Sequence, residues 1–295
     1  MLDLIHASAE YTDSGYNSDS SEKYRLSIQL RLDGFSFAII DPENMQLLRL
    51  QDFRLIDKPQ NSLSEKWAHV HEYFLEYINQ KHFTSHQYKK VIITLDHKEY
   101  TLMPNSLILN SNEKDQLQFG QKIAYPFNVF INTIPGKDYQ LISAIYKPLH
   151  FTLQDNFNNF SLQHVGHVLQ NEVFKRHRNT SKSRGLYVYV SMHDMNIVAI
   201  DEDRLLLNNS YSFSSKEDFV YFILLAYDQL KLNAEEDPIY FLGDISKSSP
   251  IYQICWQYVR HIHFINQTSG ITTSSAFDQV AIHQYFILIQ SALCE

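Results

Sequence analysis

From Tyr24 the chain alternates between apolar and polar positions. Leu26, Ile28, Leu30 and Leu32 fall on one face of a strand, and Ser27, Gln29 and Arg31 on the other. Asp33-Gly34 then reads as a hairpin turn, because glycine takes positive φ at little cost, and Phe35, Phe37 and Ile39 carry the return strand. A third strand-like run spans Met45 to Phe53. Ser62 and Glu65 form a Ser-x-x-Glu capping box ahead of a helix from Leu63 to about Asn79, with Leu63, Trp67, Val70, Phe74 and Ile78 on one face. A buried-strand run, Val91 to Asp96, ends in aspartate.

The same order is then written again. Leu26 to Asp41 lies without a gap on Leu186 to Asp201, with apolar residues at matching places, and Arg204 to Phe213 supplies the third strand. Ser214 with Glu217 is the second capping box. It opens a helix, Asp218 to Leu230, that is apolar on most sides, as for a helix buried between a sheet and another element. Ile239 to Asp244 again ends in aspartate. Two copies of strand, strand, strand, helix, strand predict a duplicated α/β protein.

Between the copies, Lys98 to Pro104 reads as a strand and turn, Asn105 to Tyr125 as a polar excursion, and 126–170 as further strands and short helices, including Tyr139 to Tyr146 and Phe160 to Val168. The dense basic run Lys175 to Arg184 reads as a solvated linker or helix end, with an anionic partner as the alternative. Ser249 and Pro250 open a helix with Ile251, Ile254, Cys255, Tyr258 and Val259 inward, His261 to Ile265 is a short strand, and Ser275 opens a last helix carrying Val280, Ala281, Gln284, Tyr285, Leu288 and Ile289. Residues 1–22 lack periodicity and read as a flexible tail. The expected layout is therefore a tail at 1–22, a first lobe at 23–172, a basic linker at 173–185 and a second lobe at 186–295.

Length and composition narrow the function. The 295 residues suffice for two domains, and 19 Phe with 19 Tyr are ample for two cores. A net charge of −8 gathers no phosphate backbone, so nucleic acid is not an expected partner. Two cysteines, Cys255 and Cys294, make no disulfide framework and fit a reducing compartment. With neither a signal-peptide pattern nor a long apolar run, the chain reads as cytoplasmic, with no transmembrane segment. Only 8 glycines are present, which weighs against phosphate-cradling loops.

The duplicated βββαβ plan resembles the actin, hexokinase and heat-shock-chaperone ATPase fold, a relative of the ribonuclease-H-like fold. Within it, Val91 to Pro104 looks like the cytoplasmic actin-like proteins of pilus assembly and type II secretion. Tyr24 to Leu30, Asp33 to Phe37, Leu205 to Asn208, Glu217 to Tyr221 and Leu242 to Ile245 look more like an uncharacterised Bacteroidetes family with this fold. The resemblance covers roughly residues 24–265. It implies a two-lobed actin-like α/β fold. Fold alone does not give function.

In that superfamily ATP lies between the halves, held by two Asp-x-Gly phosphate loops and a glycine-rich adenosine motif. If Gly34 is the first glycine, the metal-organising acid position holds Leu32. In the second copy the loop positions hold Met192, His193 and Asp194. Leu242 to Pro250 resembles the adenosine motif, with Gly243 kept and Asp244 where a second glycine is expected. A carboxylate about 5 Å from a phosphate charge costs roughly 3 kcal/mol at an effective dielectric near 20, about a hundredfold in affinity. A slip of register could instead make Asp33 or Asp194 the acid. The candidate ligand-binding residues are thus Asp33, Gly34, His193, Asp194, Asn196, Gly243, Asp244 and Ser246.

Other chemistries find less footing. A two-metal nuclease needs an acid inside the first strand, which offers Ser27, Gln29 and Arg31. The close histidine pairs, His69 with His71, His82 with His86, His164 with His167 and His261 with His263, fit no zinc motif. Cys255 sits on an apolar helix face and reads as packing. Tyr221, Phe222, Tyr227, Tyr252, Trp256 and Tyr258 mark either a protein-binding surface or core. The expected function is a non-catalytic scaffold or adaptor for a protein partner, with no cofactor and no metal. The alternative is a divergent ATPase using ATP with magnesium between the lobes.

Overall fold

A computed structural model describes residues 7–55, 62–80, 87–108, 112–177, 184–192, 194–268 and 270–293. The chain divides into two compact units. One comprises 1–167 with 270–280 and 291–295, the other 168–269 with 281–290.

In the first unit the strands are β1 (Ala9–Thr12), β2 (Arg25–Arg31), β3 (Gly34–Asp41), β4 (Gln46–Arg54), β5 (Lys90–Asp96), β6 (Tyr100–Pro104), β7 (Phe127–Thr133), β8 (Tyr139–Tyr146) and β9 (Phe160–His164). The helices are α1 (Leu63–Gln80), α2 (Asn105–Ile108), α3 (Glu113–Gly120) and α4 (Lys147–Asn156), and α5 (Val165–His177) spans the division between units. A six-stranded sheet has the order β1-β4-β3-β2-β5-β9, and a separate three-stranded sheet the order β6-β8-β7. β2, β3 and β4 are an antiparallel meander, and β5 joins β2 in parallel, as a crossover through α1 requires.

The apolar stripe expected on the first helix is the one that packs. Trp67, Val70, Phe74, Tyr77 and Ile78 of α1 are buried with Leu26, Ile28, Leu30, Phe35 and Phe37 of the sheet. Phe35, Phe37, Phe53, Phe74 and Tyr77 form a ring cluster with centroids as close as 4.5 Å between Phe53 and Tyr77. Each such side chain contributes about 1.5 to 3 kcal/mol by leaving water. The polar face of β2 is buried as well. Ser27 shares a hydrogen bond of 2.6 Å with Ser291, and Arg25 donates to the carbonyl of Ala292 at 2.8 Å, so the end of the chain covers that face.

The second unit contains β10 (Arg184–Ser191), β11 (Asp194–Asp201), β12 (Arg204–Ser212), α6 (Lys216–Leu230), β13 (Ile239–Gly243), α7 (Pro250–Cys255), β14 (Ile262–Phe264) and α8 (Phe286–Ser291), whose last residue falls in the first unit. Its sheet order is β12-β11-β10-β13-β14. The gapless repeat is matched in register. Leu26 faces Ile39 as Leu186 faces Ala199, Arg31 faces Gly34 as Ser191 faces Asp194, and a bulge falls after Ile39 in one sheet and after Ala199 in the other. Leu26 pairs in parallel with Val91, and Leu186 with Ile239.

Several expectations are corrected. The stretch read as a tail contains β1, which pairs with β4 from Ala9↔Asp52 to Thr12↔Arg49, and a 3-10 turn at Ser18–Lys23. A four-residue edge strand is too short to show periodicity. The polar excursion holds α2 and α3. Asn112 accepts a bond from the Lys114 amide, and Leu117 is the buried residue of α3, so there was little apolar periodicity to see. The expected linker begins inside α5, where Val173 and Phe174 are buried, and Arg184–Gly185 already belongs to β10. The last helix is broken into 3-10 turns at Ser275–Phe277 and Ile282–Gln284 before α8. Residues 270–280 belong to the first unit, where Thr272 exchanges backbone hydrogen bonds with Met45 and Leu47, so the tract is divided between two cores. Tyr258 lies beyond the end of α7 and is 50% exposed.

The first capping box forms as read, with Ser62 and Glu65 exchanging bonds of 3.1 and 3.2 Å. The second is shifted by one residue, to Ser215 and Asp218, because Ser214 also donates to the Asp218 carboxylate and draws that side chain back over the helix start. Ser215→Ala is expected to cost about 1 kcal/mol in urea unfolding, whereas Glu217→Ala changes stability by less than about 0.5 kcal/mol. The reverse ranking would restore the box at Ser214 and Glu217. Among the described residues, no helix is long and apolar enough to cross a membrane.

Candidate functional site

In the first unit, the turn between β2 and β3 sits in a row of three residues across three strands. Arg31 faces Gly34, and Gly34 faces Arg54; the next row is Gln29, Ser36 and Asp52. Alternation on β4 sends Asp52 and Arg54 to the same face as Arg31. The result is a network of two cations and two anions. Arg31 Nε lies 3.1 Å from Asp33 Oδ1 and its Nη2 2.9 Å from Asp52 Oδ1. Arg54 Nη1 lies 2.5 Å from Asp33 Oδ2 and its Nε 3.0 Å from Asp52 Oδ2. The Ser36 hydroxyl donates to Asp52 at 2.5 Å.

Asp33 is therefore committed to two guanidiniums. Burial works to raise its carboxyl, but Arg31 and Arg54 outweigh burial and hold it below its ordinary value. The same balance brings Asp52 down to about 2. Gly34 has φ +146°, and a Cβ there would lie 2.0 Å from the Phe53 carbonyl oxygen. The approach of the neighbouring strand is by itself enough to require glycine here. Leu32, at the position of the superfamily acid, is partly buried against the first core. Arg31, Ser36, Asp52 and Arg54 were not singled out in the sequence. The signal was there, as charges alternating on β4 opposite Arg31 at the turn end of the polar face of β2.

In the second unit the equivalent row is Ser191, Asp194 and Ser212, and the next is Tyr189, Asn196 and Ser210. Each candidate finds its partner across the ladder. Ser212 donates to Asp194 at 2.5 Å, and Asn196 donates to Ser210 at 3.0 Å. Met192 is 43% exposed at the turn, and His193 lies outside the described residues.

At the end of β13, Gly243 has φ +81°, and a Cβ there would lie 2.0 Å from the Val190 carbonyl oxygen, to which the Asp244 amide donates at 2.8 Å. Ser246 closes a local turn. Its carbonyl accepts from the Ser249 hydroxyl at 2.7 Å, and its own hydroxyl is 3.0 Å from that of Ser248. His283 fastens this loop from the C-terminal segment, its Nε2 2.8 Å from the Ile245 carbonyl and its Nδ1 3.1 Å from the Asn266 side-chain oxygen. Burial lowers its pKa against the opposing effects of the Ile245 carbonyl and Asp244. The structure thus brings Asp194 and Asn196 on β11 and Gly243 and Asp244 at the end of β13 to the two sides of β10.

The remaining chemistry resolves simply. Among the described residues no three His, Cys, Asp or Glu side chains are grouped to hold a metal. His164 is fully buried with Nε2 donating to the His97 carbonyl and Nδ1 accepting from the Gly166 amide, and burial keeps it well below its ordinary pKa. His82, His86 and Cys294 lie outside the described residues. Burial pushes the Cys255 thiol up to about 12, so it stays protonated. Of the six aromatics, Tyr227 and Tyr252 are buried, Phe222 is partly buried, and Tyr221, Trp256 and Tyr258 are exposed.

An antiparallel meander, a crossover helix and a parallel strand, present in both units, define the actin-like ATPase fold. A Bacteroides thetaiotaomicron VPI-5482 protein with this fold and unknown function is similar over 95% of this chain and 99% of its own, at 22% identity and a TM-score of 0.73. A chain of the PilM–PilN type IV pilus biogenesis complex matches over 91% of this chain and 97% of its own, at 10% identity and a TM-score of 0.59. The chain belongs to the family described as "Protein of unknown function (DUF3822)", whose model matches residues 13–262. None of the curated proteins matches it in sequence.

Proposed function

We propose that this protein is a non-catalytic, actin-like scaffold or adaptor that binds a protein partner and has lost its nucleotide chemistry. The observation that carries this reading is the ion-pair network at the first turn, where Asp33 and Asp52 are both committed to Arg31 and Arg54. A carboxylate so held is a poor organiser of a magnesium shell, since binding the metal would strip two charge-assisted pairs. The two glycines that a phosphate or adenosine would approach are required by the chain's own carbonyls. Tyr221 on α6 and Trp256 and Tyr258 after α7 offer exposed aromatic surface, the residue type enriched at protein interfaces. The fold is shared with a chain of a two-protein pilus complex, which makes partner binding a natural use of it. We place this work in the cytoplasm, without nucleic acid.

Isothermal titration of the full chain with Mg-ATP tests the reading. No saturable heat is expected up to millimolar nucleotide. A micromolar dissociation constant that Asp194→Ala or Asp33→Ala abolishes would establish the ATP-binding alternative instead.

A further inference from the structure

A separate pocket lies in the second unit, on the sheet face turned away from α6. Leu186, Val188, Ile239 and Phe241 point into the core with α6, so alternation sends Tyr187, Tyr240 and His263 to the opposite face. The register sets these three side by side, Tyr187 facing Tyr240 and Tyr240 facing His263. Their rings stack in a row, at 4.7 Å and 15° for the tyrosine pair and 5.4 Å and 29° for Tyr240 with His263. All three residues line one cavity, Tyr187 from an almost fully buried position. Its volume is about 460 Å³, and Arg176, Asn266 and Gln267 also line it.

Arg176 makes this pocket unusual. Its guanidinium lies over the Phe286 ring at 5.0 Å, and its Nη2 donates to the Gln267 carbonyl. Its Nε is buried and has no hydrogen-bond acceptor among the described residues, nor does the guanidinium form an ion pair there. Glu172, one turn back along the helix, pairs with Lys175 at 2.8 Å and also acts electrostatically on Arg176, against the effect of burial. A half-buried cation that lines the cavity beside two tyrosines, and whose nearby acid Glu172 is shared with Lys175, is suited to holding an anion.

We propose that this pocket binds a small oxyanion-bearing ligand, its carboxylate or phosphate held by Arg176 and the hydroxyls of Tyr187 and Tyr240. The guanidinium fork suits a two-oxygen face, and the volume falls within the usual range of about 300 to 1,000 Å³ for ligand sites, leaving room for a body beyond the anion. Tyr187 and Tyr240 lie three residues before Val190 and Gly243, about 10 Å along the strands at roughly 3.3 Å per residue. The pocket is therefore distinct from the turns considered for nucleotide, and the proposal is independent of the scaffold reading.

Titration of the full chain with benzoate and with inorganic phosphate, followed by calorimetry and by the tyrosine ring resonances, is the test. At least one probe is expected to saturate in the millimolar range or below, and the tighter one tells a carboxylate ligand from a phosphate ligand. Arg176→Gln is expected to weaken that binding by about tenfold or more, the worth of a charge-assisted hydrogen bond. Tyr240→Phe keeps the stacked ring and weakens binding a few-fold, and Arg260→Gln, an exposed arginine outside the pocket, leaves it unchanged. If neither probe binds, or Arg176→Gln binds as well as the native chain, the proposal is wrong. Should Arg176→Gln fail to fold, the double variant Tyr187→Phe/Tyr240→Phe decides: unchanged affinity overturns the site.

Discussion

Gly34→Ala and Gly243→Ala are each expected to lower stability by about 3 kcal/mol or more, through backbone strain together with collision. Both glycines have positive φ, +146° and +81°, and at each an added Cβ would stand 2.0 Å from a carbonyl oxygen of an adjacent strand, Phe53 in one case and Val190 in the other. Neither oxygen can retreat cheaply. Phe53 anchors the aromatic cluster of the first core, and the Val190 carbonyl accepts the Asp244 amide. Gly120→Ala is the control, since nothing lies within 4 Å of its added Cβ and it ends a helix; it is expected to be neutral or to stabilise by up to about 1 kcal/mol. Urea unfolding of the three variants measures the contrast. If Gly34→Ala or Gly243→Ala unfolds within about 0.5 kcal/mol of the native chain, the packing explanation of that glycine fails and a ligand becomes its better explanation.

This bears on how the repeat is read. The framework was legible in the sequence because it rests on periodicity: alternation through Leu26, Ile28 and Leu30, a helical stripe through Trp67, Val70 and Phe74, and the same spacing again from Leu186. These patterns carry into the structure down to strand register and the bulges after Ile39 and Ala199. What the pattern could not carry was anything decided by distant chain segments. Burial of Ser27 depends on Ser291, and the division of residues 270–290 between two cores has no periodic signature. β1 is likewise visible only through its partner strand β4.

The candidate site was legible by position and not by role. Asp33, Gly34, Asp194 and Gly243 could be found by laying the two copies on each other and on the superfamily loops. Whether each glycine admits a ligand or a neighbouring carbonyl depends on the approach of strands, which no local sequence encodes. The role of Asp33 depends on Arg54, 21 residues away, and through it on Asp52. Equivalent rows in the two units differ: Arg31 and Arg54 flank Gly34 within a charged network, while Ser191 and Ser212 flank Asp194, with Ser212 donating to it. Asymmetry at equivalent positions is what a retained scaffold with relaxed turn chemistry would leave.

The charged network carries the other large expected effect. Asp52→Ala removes one of two anions that face two guanidiniums, one of them, Arg31, buried. Arg31 and Arg54 are then left to share Asp33, and breaking one side of a buried ionic set costs up to about 3 to 5 kcal/mol. Arg31→Met/Asp52→Leu takes out one cation and one anion, leaves Arg54 with Asp33, and is expected to recover much of that loss, so the double variant should be more stable than the single one. The same network sets an acid limit. Asp52 is depressed in the folded state from an ordinary 3.8 to about 2, so its contribution is complete above pH 3.8 and disappears as pH falls through about 2. A shift of that size corresponds to about 2 kcal/mol, and Asp33, also depressed, adds in the same direction. Urea unfolding at stepwise lower pH is expected to show native stability falling between pH 4 and 2 more steeply than that of Arg31→Met/Asp52→Leu. Parallel pH profiles, or a single variant no less stable than the double, would mean that the four charges do not act as one network and would free Asp33 to be considered again as a ligand for a metal.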